Sequence, residues 1–177
     1  MLTLSVDLSS PTGTLALFQG NMLLEEVELP ETQSHSELFL GALDSLLAAR
    51  GLTLEKIDRY LTTSGPGSFT GLRIAWSSLK AFALAHGKPL LVVPGDEARA
   101  RASGKLSILT PLGKKSWVHS RFNGSLELLE SAVTEESSLG EMVTLRASHL
   151  MLCPHPVELR TDAEINAAGP TYLGSRW

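Results

Sequence analysis

Asp7 is the carboxylate best placed for chemistry. It ends an apolar N-terminal run and is followed by Ser9-Ser10-Pro11-Thr12-Gly13, a turn cluster. An acid at a strand end can organise a divalent cation and phosphates, or it can simply bond to its own turn. A second constellation, Gly65-Pro66-Gly67-Ser68-Phe69-Thr70-Gly71-Leu72-Arg73, joins an apolar strand to a helical segment. Glycines there allow close backbone approach, and a helix N-terminus favours an anion through its free N–H groups and its dipole. Three details run against a phosphate cradle: Pro66 offers no N–H, Thr70 stands where the Gly-x-Gly-x-x-Gly pattern has its third glycine, and no Gly-Lys-Ser/Thr follows. The plainer reading is a stiff loop that shapes the start of a helix, with Phe69 as an apolar anchor.

Other reactive residues are sparser. His35 is followed by Glu37, but the second histidine of a His-Glu-x-x-His metal helix is absent. His149, Cys153 and His155, with Glu158 nearby, have ligand chemistry at short spacing, yet Pro154 and Pro156 give the segment the character of a plain loop. No metal and no nucleophilic role for Cys153 is expected. Arg73 and Lys80 lie one heptad apart on the polar side of the same helix, where they either meet carboxylates of a partner or face water.

The elements that must carry these residues follow from periodicity. Leu2–Leu8, Thr14–Phe18 and Met22–Leu29 read as strands separated by short turns, an antiparallel meander. Ser34-His35-Ser36-Glu37 fits a capping box opening a helix that runs to Arg50 and stops at Gly51. Arg59–Ser64 is a buried strand, Gly71–His86 a helix closed by Gly87-Lys88-Pro89, and Leu90–Val93 another strand. The first 95 residues therefore read βββαβαβ, a mixed sheet in which the meander is extended by parallel strands with helical crossovers. After Pro94-Gly95, the expected boundary, the spacing predicts a short helix over Glu97–Ala102. Strands are expected over Leu106–Thr110, Trp117–Phe122 and Leu126–Leu129, with Asn123-Gly124 as a hairpin turn. Beyond Glu130 the chain reads as loops with brief apolar patches. Two units are expected, 1–95 and a reduced 96–177.

The 177 residues are 43% hydrophobic with a net charge of -4, enough for one good core or two small lobes. No Lys/Arg run supplies the basic stripe that a protein gripping nucleic acid by itself needs, so any RNA is expected to be held by a partner. Met1-Leu2-Thr3-Leu4-Ser5-Val6-Asp7 does not read as a signal peptide. No apolar run approaches the ~18 residues of a membrane span. With its single cysteine the chain is expected in the cytoplasm.

Both N-terminal helices are more apolar than one sheet requires. In the first, Leu38, Phe39, Leu40, Ala42, Leu43, Leu46, Leu47 and Ala49 project over roughly 200° at 100° per residue, where a stripe of about 100° suffices for one sheet. In the second, Arg73, Ser77 and Lys80 fill one narrow polar window. Either the rest of the chain covers the surplus, or a partner docks on it to give a four-helix interface. Leu38, Ala42, Leu46, Trp76, Leu79 and Ala83 are the expected partner-binding residues, with the 65–73 loop orienting the second helix.

Gly-Pro-Gly-Ser-Phe-Thr-Gly-Leu-Arg-Ile, residues 65–74, resembles the signature of the TsaB (YeaZ) family, which serves the bacterial machinery that makes threonylcarbamoyladenosine in tRNA. Asp7-Leu8-Ser9-Ser10, His35-Ser36-Glu37 and Pro170-Thr171-Tyr172-Leu173 resemble three further family segments in the same order. The resemblance implies the fold shared by actin, sugar kinases and Hsp70, a ribonuclease H-like lobe plus a second lobe. It implies a subunit without catalysis of its own that docks a TsaD-type catalytic subunit through its helix pair, with a TsaE-type ATPase joining. It also implies homodimers through the same helices, only indirect contact with tRNA, and no tightly bound cofactor, any ATP or ADP lying at the joint with the partner. The chain departs from the family in its length, and at Thr110-Pro111-Leu112-Gly113-Lys114-Lys115-Ser116-Trp117, where an acid and a base are lost. It departs again at Gly174, where the family has arginine. The alternative function is a small phosphotransferase or ATPase of the same fold, using Asp7 and the Gly65–Gly71 loop. A zinc peptidase is a third.

Overall fold

The computed structural model describes every residue except 32, 33, 114, 136, 138 and 172–177. The expectations placed on Lys114, Tyr172, Leu173 and Gly174 lie outside the described residues.

Strand β1 (Leu2–Asp7) pairs antiparallel with β2 (Gly13–Gln19), Asp7 opposite Thr14, and β2 pairs antiparallel with β3 (Met22–Leu29). Helix α1 (His35–Ala48) follows, then a 3-10 turn over Leu54–Lys56. Strand β4 (Arg59–Thr63) lies parallel to β1 on its other side. Helix α2 (Phe69–His86) crosses to β5 (Leu90–Val93), which is parallel to β4. The order βββαβαβ and the mixed sheet are as the periodicity implied. Helix α3 (Gly95–Ser103) leads to a second sheet of β6 (Ser107–Gly113), β7 (Ser116–Phe122), β8 (Leu128–Thr134) and the short β9 (Glu141–Met142), in the order β8-β7-β6-β9.

The tail departs from the expectation of loops. A 3-10 segment over Ala147–Leu152, strand β10 (Val157–Leu159) and helix α4 (Asp162–Ala167) return to the first sheet, which reads β10-β5-β4-β1-β2-β3. The boundary near Pro94-Gly95 thus separates two sheets but not two stretches of chain.

The reason is that both faces of the first sheet are apolar. Leu4, Val6, Leu15, Leu17, Tyr60, Leu90 and Val92 meet α1 and α2 on one face. Leu61, Leu91 and Val93 point to the other, where Ala98, Leu145 and Leu150 cover them, and Ala147 covers Ala16 and Phe18. A parallel core strand is buried on both sides, and the brief apolar patches of the tail supply the second cover. An ion-pair clamp holds that cover down: Arg146 reaches Glu26 at 2.7 Å and also Glu28, and Ser148 N–H donates to Glu26 at 2.8 Å.

Two local expectations fail for chemical reasons. Ser34 is the N-cap of α1 but makes no side-chain cap, because its hydroxyl lies 2.6 Å from that of Ser36. Asn123-Gly124 is not a two-residue hairpin. The Asn123 side-chain oxygen accepts from Ser125 and Glu127 N–H, so Leu126 takes φ +62° and β8 starts only at Leu128.

Candidate functional site

The β1–β2 turn and the glycine loop lie against each other at the junction of the two sheets. Ser68 caps α2 by accepting from Gly71 N–H at 3.3 Å, and its own N–H donates to Ser9 O at 2.7 Å. A Cβ on Gly67 would lie 2.5 Å from Ser9 O, and one on Gly71 would overlap the Leu8 carbonyl. The two glycines are thus required for backbone-to-backbone contact between loops. Gly65 N–H donates to Thr63 Oγ1, and the Gly65–Pro66 bond is cis.

Asp7 is fully buried. Its Oδ1 accepts from Ser9 N–H at 3.0 Å, while Oδ2 has no hydrogen-bond partner. Beside it lies a residue that sequence reasoning missed. Arg99 of α3 is also fully buried: Nε donates to Val143 O at 3.0 Å and Nη1 to Pro66 O at 3.3 Å. Nη2 reaches Ser10 Oγ at 3.4 Å and Ser9 Oγ at 3.5 Å. Burial lowers the pKa of the guanidinium, and the charges of Asp7 and Asp96 oppose that shift. An arginine remains protonated under such a balance. Asp96, also buried, accepts from Ser120 Oγ at 2.8 Å and so ties α3 to the second sheet. In sequence, Arg99 sits among Glu97 and Arg101, which form an ordinary i, i+4 surface pair at 2.7 Å. Helical spacing from Asp96 was the only available signal.

An actin- or sugar-kinase-like fold raises the question of a nucleotide with its divalent cation at Asp7. The residues present do not fit that group. Asp7 is sealed from solvent, the guanidinium sits beside it, and the glycine-loop N–H groups of Gly65, Ser68 and Gly71 are already engaged within the chain.

The remaining expected residues divide. Leu46, Trp76, Leu79 and Ala83 belong to the chain's own core, with Trp76 Nε1 donating to Thr63 O at 2.9 Å. They are not a surface that a partner can reach. The apolar surplus of α2 is covered by the sheet and, through buried Ile165, by α4. Leu38 and Ala42 are half-buried. Lys80 donates to Asn166 O at 3.1 Å, an internal bond, whereas Arg73 is exposed and stacks over the Phe69 ring with 5.3 Å to its centroid. Phe69 is the half-buried anchor expected, and Thr70 is exposed.

What α1 leaves outside is Ser36, Glu37, Leu40, Gly41, Asp44, Ser45 and Ala48, and what α2 leaves outside is Thr70, Arg73, Ser77, Ala81 and Ala85. Only Glu37, Asp44 and Arg73 are charged. Arg73, Ser77, Ala81 and Ala85 form an i, i+4 row of the kind that packs against another helix. At the head of this surface is a cleft of about 570 Å³, lined by Ser9, Ser10, Ser68, Thr70, Pro111 and Leu112 among others.

His35 joins α1 to the first turn, its Nε2 lying 3.0 Å from Pro11 O. His149, Cys153 and His155 do not converge, and no group of three or more His, Cys, Asp or Glu side chains suited to a metal occurs among the described residues. No helix among them is long and apolar enough to cross a membrane.

A family model described as TsaD: tRNA N6-adenosine threonylcarbamoyltransferase matches residues 24–111. A tRNA N6-adenosine threonylcarbamoyltransferase of Chelativorans sp. is 31% identical over 155 residues, covering 77% of this chain and 42% of its own. The tRNA threonylcarbamoyladenosine biosynthesis protein TsaB of Haemophilus influenzae is 29% identical over 103 residues, covering 58% and 43%. The chain thus spans about two fifths of the length of these curated relatives. YeaZ from Pseudomonas aeruginosa superposes with a TM-score of 0.74 at 19% identity, covering 97% of this chain and 99% of that one. A second Pseudomonas aeruginosa structure, described as similar to peptidase YEAZ, gives a TM-score of 0.75 at 18% identity. The actin- and sugar-kinase-like fold and the resemblance carried by residues 65–74 are both borne out.

Proposed function

We propose that this chain, which is TsaB (YeaZ)-like in sequence and fold, is a non-catalytic subunit of tRNA N6-threonylcarbamoyladenosine formation that docks a TsaD-type catalytic subunit through the outer surface of α1 and α2. The observation that carries the docking surface is its composition. A helix surface left to water normally carries charge at most exposed positions, whereas Leu40, Gly41, Ser45, Ala48, Ser77, Ala81 and Ala85 are small or apolar. Small residues let two helix backbones approach and interlock. The similarity to TsaB and TsaD proteins supports this choice of pathway and of a TsaD-type partner. Homodimers through the same surface, a TsaE-type ATPase in the assembly and a nucleotide at the joint with the partner belong to the same proposal, as does contact with tRNA through the partner.

A phosphotransferase using Asp7 and the Gly65–Gly71 loop would need an accessible carboxylate and an open loop. The burial of Asp7 and the seating of the loop on Ser9 speak against it.

The test is co-purification with a TsaD-type subunit. Ala83 lies in the core, so a change there would report on folding alone. Ala81→Arg is on the outer row. It should leave the melting temperature of the isolated chain unchanged and weaken the complex by about 2 kcal/mol or more if the row is central to the joint. Undiminished co-purification of Ala81→Arg and Leu40→Arg would rule this face out.

A further inference from the structure

The junction beneath the β1–β2 turn is lined with oxygen groups. Asp7 and Asp96 supply carboxylates, Ser9 and Ser10 hydroxyls, and Pro66 and Val143 carbonyls. Such a set is what a divalent cation takes. The guanidinium of Arg99, which belongs to the chain, touches four of these six groups, the two carbonyls and the two hydroxyls. The carboxylates act on it through space. Asp7 Oδ2, sealed from water and without a hydrogen bond, has no other fully buried cation near it among the described residues. A buried carboxylate in that position is tolerated only with a compensating charge.

We propose that Arg99 is a resident cation, standing where a divalent ion would stand beside Asp7, so that the junction of the two sheets is closed without metal or nucleotide. The single side chain ties together the β1–β2 turn, the glycine loop and the strand-connecting segment at Val143, which come from three distant parts of the sequence. Arg99 is a positioning residue: it fixes the glycine loop, and with it the start of α2. This inference does not depend on which partner the helix surface meets.

The experiment is a charge cycle read by thermal unfolding, combined with ligand titration of the wild-type chain. Arg99→Ala strands the buried Asp7 carboxylate, since Asp96 keeps its bonds from Glu97 N–H and Ser120 Oγ, and should lower the melting temperature by about 10 °C, the scale expected for breaking a buried charge cluster in a chain of this size. Asp7→Asn combined with Arg99→Ala should recover several degrees of that loss, because it removes the stranded charge. A merely structural arginine would give losses that add. If Arg99→Ala is insoluble, recovery of soluble protein in the double variant is the readout, and equal insolubility overturns the proposal. Mg²⁺ with ATP should not move the wild-type melting temperature. A protein binding it at a hundredfold its Kd would gain about 5–10 °C. Such a gain, or additive losses in the cycle, would overturn the resident-cation assignment.

Discussion

Burial sets the chemistry of the thiol and the imidazole behind the first sheet. Burial, then the charge of Glu97, pushes the Cys153 thiol up to about 12. At neutral pH it is protonated and only 7% exposed, so alkylation of the native protein should be slow and should track unfolding. A native rate near that of a free thiol would contradict this. Burial lowers the pKa of His149, whose Nδ1 lacks a partner. Glu26 and Asp7 act against that shift, and Arg146 and Arg99 add to it. The unfolded chain therefore takes up a proton near pH 6.5 that the folded chain refuses. Stability from this group is complete above about 6.5 and is lost as pH falls from there through the lowered folded value. Urea midpoints of the wild type should fall between pH 7 and pH 5 more steeply than those of His149→Gln, and identical slopes would exclude the effect. At this scale Asp7 was legible as the acid of interest, but its sealing was not. Arg99 was invisible because a charged residue beside two others on a helix looks solvated until the neighbouring sheet is known.

The start of α2 is where sequence and element agree best. Ser68 caps it, and Gly71 lets its first turn lie on the Leu8 carbonyl. Ser68→Ala should cost about 1 kcal/mol, an ordinary cap loss. Gly71→Ala should cost at least about 3 kcal/mol in urea unfolding, because the clash is with backbone that cannot rotate away. Equal costs would mean that the loop yields. The order βββαβαβ was readable because strand alternation, helical spacing and glycine stops act within a few residues. The capping box at Ser34 and the hairpin at Asn123 were misread for a related reason: short polar side chains choose among several nearby partners, and spacing alone does not rank Ser36 against Glu37, or an Asn side chain against its backbone.

At the scale of the whole molecule the tail completes the first sheet. Leu145, Ala147 and Leu150 cover the face opposite α1 and α2, with Arg146 clamped to Glu26 and Glu28. A chain ending at residue 143 should expose Phe18, Leu61 and Leu91, bind a hydrophobic dye strongly and lose cooperative unfolding. Cooperative unfolding at an unchanged midpoint would show the cover to be dispensable. What the amino-acid order determined unaided was the first mixed sheet, its two long helices and the tight loop between β4 and α2, since each rests on interactions between near neighbours in the chain. Only the tertiary structure decided that Trp76, Leu79 and Ala83 face inward, that the tail returns to the sheet, and that Arg99 reaches Ser9 and Ser10 from 90 and 89 residues away. Burial is a property of what packs on a residue, and those partners are remote in sequence.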